Sequence, residues 1–216
     1  MLERLTGFAI EQGFFVIQSL GQLPKSCCAG AETEVIDFDK TKEKISELAS
    51  LNQPKSADAL KILPHLNRLD FIELKGLATF IRLYKPTADI DQKVNNQLAR
   101  FDLQRKIKDS LFVFNCLVNN NKFSCSKAER VQYDQVAKHY LVVVDIDLQQ
   151  NPIADRLATL KFLSEDPCNI STKISVALRE IVDGLPSSVL ENLQKPELLS
   201  CSKLDAYYAR LSVVRL

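Results

Sequence analysis

Two aspartates end a run of β-branched residues in the stretch YLVVVDIDLQQ, residues 140–150. On a β-strand, Asp145 and Asp147 would point to the same face and could hold one divalent ion together. On a helix, their side chains would diverge by about 200° and could not share an ion. The secondary structure of this stretch therefore decides whether the two acids can serve a metal-dependent hydrolase or phosphotransferase.

The sequence context of the two aspartates favours a helix. Ser126 and Glu129 have the spacing of a capping box, which predicts a helix that begins near Lys127. No turn residue follows until Asn151-Pro152, where we expect that helix to end. The alternation of apolar residues over 140–148 is the argument for a strand. We predict a helix and expect no catalytic site and no metal site here.

Other common catalytic and phosphate-binding motifs are missing from the sequence. Gly-rich phosphate loops, the G-x-S-x-G elbow and the H-E-x-x-H motif do not occur. The two histidines, His65 and His139, lie far apart, and the adjacent Cys27 and Cys28 cannot bridge easily. None of the six cysteines forms a C-x-x-C pair, so we expect free thiols in a reducing cytosol and no cofactor.

Charge argues against two classes of partner. The chain has 28 Lys and Arg against 27 Asp and Glu, which leaves no field to attract nucleic acid or an anionic membrane. Acids interleave with the basic cluster Arg100, Arg105, Lys106 and Lys108, which indicates a solvated helix face. If this cluster did bind nucleic acid, the affinity would fall steeply with salt. No stretch reaches the roughly 20 apolar residues of a membrane helix, so we expect a cytoplasmic protein without membrane insertion.

Apolar periodicity predicts one predominantly α-helical domain over residues 1–216, a compact multi-helix fold with a long central helix. Helices are expected over 2–20, 39–51, 56–63, 67–84, 88–118, 127–151, 153–163, 171–183, 188–195 and 204–214. The segment 67–84 is apolar nearly all round, which is typical of a central helix. The alternative is an α+β fold with a small sheet from 111–118, 140–148 and 210–216.

Apolar side chains provide the remaining functional hypothesis. With 11 Phe and 5 Tyr, and with helices apolar on more than one side, we expect surface that the core cannot absorb. The candidate partner-binding residues lie on the first and last helices: Phe8, Phe14, Phe15, Tyr207, Tyr208, Leu211 and Val214. The sequence thus predicts a non-catalytic adaptor or chaperone that engages a partner's amphipathic segment and has no small-molecule substrate. The alternative that both stripes pack into the core stays open.

In overall character the chain resembles the small adaptor and chaperone subunits of bacterial type IV (Dot/Icm-like) secretion systems. The resemblance extends over the whole chain and rests on no motif, so it assigns a role to no single residue. It implies a cytoplasmic protein without enzymatic activity that works in a larger complex, in protein secretion and virulence.

Overall fold

The computed structural model describes residues 1–83, 89–120, 125–148, 168–191 and 193–213. Its centre is a six-stranded mixed sheet flanked by helices. The protein is therefore α+β, and the prediction of a predominantly α-helical bundle is wrong. The α+β alternative has the right class but the wrong sheet, because, of the described residues in its three segments, only those over 140–144 belong to a strand.

The strands are short at the edges and long at the centre of the sheet. They are β1 Ile17–Ser19, β2 Glu34–Asp37, β3 Ala59–Leu63, β4 Arg68–Lys75, β5 Ala137–Val144 and β6 Glu197–Ser200. The α-helices are α1 Leu2–Glu11, α2 Phe38–Ala49, α3 Ala78–Leu83, α4 Ile90–Ala99, α5 Leu103–Asn119, α6 Lys127–Asp134, α7 Cys168–Asp183, α8 Ser187–Leu190 and α9 Cys201–Val213. Short 3-10 helices lie at Leu20–Gln22 and Pro64–Leu66.

The strands follow one another across the sheet in chain order. Strands β1 to β4 pair antiparallel, whereas β4, β5 and β6 run parallel. Parallel neighbours need long crossover connections, which is why helices separate β4 from β5 and β5 from β6. The carboxyl ends of the three parallel strands consequently share one edge of the sheet.

The central strands β4 and β5 account for the largest error of the sequence prediction. Leu69 to Glu73 and Tyr140 to Val144 are buried without interruption, because helices or loops cover both faces of the sheet. A run that is apolar on both faces has no period that separates a buried strand from a buried helix. The helix predicted over 67–84 is therefore a strand followed by Gly76 and α3, and the helix predicted over 56–63 is β3.

Local capping signals were more reliable. The capping box of Ser126 and Glu129 is confirmed, although α6 ends at Asp134 and the chain continues as β5. The helix predicted over 88–118 is two helices, because Asp102 between them has a φ of 45°. The predicted helix over 153–163 lies outside the described residues.

Helices and strands enclose two hydrophobic clusters, one on each face of the sheet. Helices α1 to α8 cover the first face, where Phe71 meets Phe38 and Phe114 edge to face, with ring centroids 5.5 and 6.1 Å apart. The segment 20–31 and α9 cover the second face. A disulfide between Cys28 and Cys201 joins these two pieces, so the expectation that every cysteine is a free thiol is wrong for this pair.

Within the described ranges, none of the helices is long and apolar enough to cross a membrane.

Candidate functional site

The β3–β4 hairpin brings two acids and a lysine together on the first face of the sheet. Asp58 directly precedes β3, and its backbone N–H donates to the Ile72 carbonyl at 3.0 Å. Glu73 and Lys75 lie two residues apart on β4, so their side chains leave the strand on the same face. The hairpin register therefore places Asp58 next to Glu73, although they are distant in sequence.

Glu73 is fully buried and its charge is balanced by lysines. The Nζ atoms of Lys75 and Lys106 each lie 2.5 Å from Glu73 Oε1. The Tyr140 hydroxyl, also buried, donates to Glu73 Oε2 at 3.4 Å. Lys106, which comes from α5, lies 3.9 Å from Asp58 Oδ1 as well. The ammonium group of Lys106 thus contacts both carboxylates, as a bound metal cation would.

Asp58 is held in place and has an unusual pKa. Its Oδ2 accepts a hydrogen bond from the Leu74 backbone N–H at 2.6 Å. Burial and the negative charge of Glu73 raise the pKa of Asp58 to about 6, although Lys106 acts in the opposite direction. The negative charge of Glu73 next to Asp58 favours any added positive charge, whether a proton or a metal ion.

A cleft of about 770 Å³ opens above these groups, between α2, the start of β3 and the start of α5. Its cationic lining residues are Lys42, Lys55, Lys75, Arg100 and Lys106. Lys42 pairs with Asp39 at 2.5 Å and Lys55 with Asp102 at 2.7 Å. The volume lies within the range of sites that bind small molecules or a polymer segment.

Contacts to α2 and α5 hold the segment that carries Asp58. The Ala57 N–H donates to Ser110 Oγ at 2.8 Å, and the Lys55 N–H donates to Asp109 Oδ2 at 2.8 Å. The Ser56 hydroxyl donates to Asp39 Oδ1 at 3.1 Å on α2. Ser56, the first residue of the helix predicted over 56–63, therefore connects the segment before β3 to α2.

Asp145 and Asp147 lie just beyond the carboxyl end of β5. The prediction that 140–148 is helical is therefore wrong, because residues 140–144 are strand and 145–148 are not helical. Asp145 Oδ1 accepts from the backbone N–H groups of Leu77 and Ala78 at 2.6 and 2.9 Å and caps α3. Asp147 Oδ1 accepts from the Ser202 hydroxyl at 3.2 Å. Among the described residues, neither aspartate belongs to a group of three potential metal ligands.

A cysteine cluster lies at the same edge of the sheet, on its second face. Cys27 Sγ is 3.9 Å from Cys28 Sγ and 4.0 Å from Cys201 Sγ. Burial, followed by the charge of Asp145, raises the pKa of Cys27 to about 11. In the described part of the chain, these cysteines are the one group of three residues whose side chains could ligate a single metal ion.

Of the seven predicted partner-binding residues, three are buried and three are half-buried. Phe14, Phe15 and Tyr208 are buried, and the Tyr208 hydroxyl donates to the buried Asp70 at 3.1 Å. Phe8, Tyr207 and Leu211 are half-buried against the two cores, and Val214 lies outside the described residues. The core thus absorbs much of the apolar surface that the sequence led us to expect outside, and a partner contact at Phe8, Tyr207 or Leu211 stays a prediction.

Sequence reasoning missed Asp58, Glu73 and Lys75. Asp58 stands at the start of one short apolar run, and Glu73 and Lys75 stand at the end of the next. Both runs were predicted to be helices, so the two acids were not expected to lie together. Of the basic cluster, Arg100 and Lys106 line the cleft. Arg105 instead pairs with Asp109 at 3.4 Å, and Lys108 is exposed.

Fold and site together define an α+β domain with a carboxylate–lysine cleft on one face of a mixed sheet. Comparison with protein-family models finds no match, and comparisons with curated proteins and with solved structures also find none.

Proposed function

We propose that the protein is a divalent-cation-dependent hydrolase of phosphodiester bonds, with Asp58 and Glu73 as the carboxylates that bind the cation. The observation that carries this proposal is the contact of Lys106, which lines the cleft, with the lining residue Asp58 and with the buried Glu73. Mg²⁺ is typically bound by one or two carboxylates together with substrate phosphates. The oxygen donors of Asp58 and Glu73 fit that requirement.

The surrounding residues support such a role. The Leu74 N–H fixes one oxygen of Asp58, and the Tyr140 hydroxyl contacts one oxygen of Glu73. Such outer contacts orient carboxylate ligands. A bound cation would polarise the phosphoryl group and lower the pKa of a bound water. Lys75, beside Glu73, is placed to stabilise negative charge that develops on phosphate oxygens.

The cleft lining contains five cationic residues and five acids, so it has no net positive charge. Lys42 and Lys55 are paired with the lining acids Asp39 and Asp102. Binding of an anionic phosphodiester would therefore depend on local contacts, such as one with Arg100, and not on the lining as a whole. We include nucleic acids among the substrates to be tested.

The test is hydrolysis of DNA, RNA and bis(4-nitrophenyl) phosphate by the full chain with Mg²⁺ or Mn²⁺ and with a chelator. We expect cation-dependent cleavage that falls by at least about 100-fold in D58N, E73Q and K75M. Asp183→Asn is the matched control, because Asp183 is exposed and pairs with the exposed Lys195 away from the cleft. Circular dichroism verifies that each variant folds. Absence of both hydrolysis and calorimetric Mg²⁺ or Mn²⁺ binding in the wild type would refute the proposal.

The adaptor role and the cytoplasmic location expected from the sequence remain a second proposal. Its support is now limited to the half-buried Phe8, Tyr207 and Leu211, since the other described candidates are buried. A partner that binds wild type and D58N equally, but not Phe8→Ala or Leu211→Ala, would favour the adaptor. Loss of a partner in D58N alone would instead point to the cleft.

A further inference from the structure

The cysteine cluster has a geometry that the proposed hydrolase activity does not use. Cys27 and Cys28 come from the segment 20–31, whereas Cys201 begins α9. A tetrahedral zinc site with Zn–S bonds of 2.3 Å has sulfur atoms about 3.8 Å apart. Cys27 Sγ already lies 3.9 and 4.0 Å from the other two sulfurs. Only the bonded pair Cys28 and Cys201 departs from the spacing of a three-sulfur site.

We propose that reduction of the Cys28–Cys201 disulfide converts this cluster into a site for one Zn²⁺ ion, bound by the thiolates of Cys27, Cys28 and Cys201 with a fourth position open to water. The site is separate from the cleft and does not depend on the proposed hydrolase function.

Asp145 lies beside the cluster and contributes negative charge to it. Its Oδ1 accepts two backbone hydrogen bonds from Leu77 and Ala78, which fix the carboxylate. A Cβ added at Gly76 would lie 3.7 Å from Asp145 Oδ2 and 3.5 Å from Cys27 Cβ, so the carboxylate and this cysteine flank the same glycine. A carboxylate held next to the ligands in this way stabilises the positive charge of a bound ion.

The electrostatics of the cluster favour a cation once the thiols are free. A divalent ion displaces thiol protons and balances the charges of the three thiolates and of the nearby Asp145 carboxylate. Cys201 adds to the effect, since it is the first residue of a 13-residue helix whose N-terminal dipole stabilises a thiolate.

The chemical steps balance with a dithiol as reductant. The dithiol supplies two electrons and two protons, the Cys28–Cys201 bond becomes two thiols, and the dithiol is oxidised to its own disulfide. Zinc then displaces one proton from each of the three cysteine thiols. The oxidised chain lacks two of the three thiolates, so zinc binding should report the redox state of this edge of the sheet.

The experiment compares the oxidised full chain with the chain reduced by a phosphine, each incubated with Zn²⁺ without oxygen and then desalted. We expect one zinc per reduced chain, measured by mass spectrometry of the metal, and almost none per oxidised chain. Co²⁺ in place of zinc should show thiolate-to-metal charge transfer in the near ultraviolet and the visible bands of a tetrahedral ion.

Variants assign the ligands. Affinity should fall by at least about 10- to 100-fold in Cys27→Ser and in Asp145→Asn. It should be unchanged in the double variant Cys116→Ser with Cys125→Ser, whose cysteines are free thiols outside the cluster. Asp58→Asn should also leave it unchanged, which separates this site from the cleft.

A reduced wild type that retains no zinc, or that unfolds with zinc present, overturns the proposal. So does equal zinc affinity in Cys27→Ser and wild type. The first comparison needs no variant, and circular dichroism of the reduced chain shows whether it is folded.

Discussion

Lys106 and Glu73 form an ion pair of 2.5 Å that joins helix α5 to the central strand β4. Glu73 is fully buried, so its charge has to be balanced inside the protein, and Lys75 contributes a second ion pair. The lysine that stabilises the fold here is also the cation that contacts Asp58. Substitutions at this site should therefore change stability and cation binding together, and each experiment has to measure both.

Asp58→Asn should stabilise the protein in the absence of divalent cations at pH 7 to 8. The pKa of Asp58 is about 6 in the folded protein against 3.8 normally, so its ionised form is disfavoured by folding. Removing that charge should raise the free energy of unfolding by on the order of 1–2 kcal/mol, while the asparagine oxygen can still accept from Leu74. Thermal unfolding measures the change.

The matched control for this prediction is cation addition. Mg²⁺ should raise the melting temperature of wild type and leave Asp58→Asn unchanged, because a ligand stabilises only a protein that binds it. Below about pH 3.8, where Asp58 is mostly protonated in both the folded and the unfolded chain, the two proteins should have similar stability. A variant less stable than wild type under cation-free conditions at pH 8 would contradict the prediction.

Hydrolysis should decline in acid with an apparent pKa set by Asp58. The carboxylate binds a cation only when ionised, so kcat/KM should fall roughly tenfold per pH unit below about pH 6. A higher cation concentration should move this limb to lower pH, since the metal competes with the proton. The measurement is the pH profile of kcat/KM at two Mg²⁺ concentrations. A profile that stays flat to pH 5 at low Mg²⁺ would exclude Asp58 as a ligand.

Lys106→Met should destabilise the protein by about 1–3 kcal/mol, because the buried Glu73 loses one of its two charged partners. Combined with Glu73→Gln, the loss should be clearly smaller than the sum of the single losses, since each change removes the same interaction. Urea unfolding of the four proteins in this cycle gives the coupling energy. Lys108→Met is the control on the same helix: it is exposed, and we expect a change within about 0.5 kcal/mol. Strict additivity would mean that the pair contributes nothing.

The successes of the sequence prediction were local. The capping box of Ser126 and Glu129 is confirmed. For the helix predicted over 39–51 the candidate caps were Asp37 and Asp39, and the structure has Asp37, whose side chain accepts from the Lys40 N–H. Both caps involve residues within one helical turn. Gly184 after α7 behaves in the same way, with its N–H donating to the Glu180 carbonyl at 2.8 Å. Such signals do not depend on how distant parts of the chain pack.

The failures were at positions whose role depends on distant partners. Strands β4 and β5 are strands because each has neighbours on both sides, and only the fold provides those neighbours. The candidate cleft combines Asp58 and Glu73 from a hairpin with Lys106 from α5, and no local motif connects α5 to that hairpin. The pairing of Cys28 with Cys201 likewise spans 173 residues, which spacing alone cannot predict.

Reduction of this disulfide should lower the free energy of unfolding by about 2–5 kcal/mol, because the bond closes a long loop and restricts the unfolded chain. If the three thiolates bind zinc, adding Zn²⁺ to the reduced chain should restore part of the loss, and a chelator should remove it again. The Cys28→Ser, Cys201→Ser double variant should match the reduced, chelated wild type and show almost no response to zinc. Urea unfolding under these conditions measures each contribution. Full recovery of stability by zinc in the double variant would place the metal elsewhere in the chain. No loss of stability on reduction would mean that packing of α9 on the sheet stabilises this face without the disulfide.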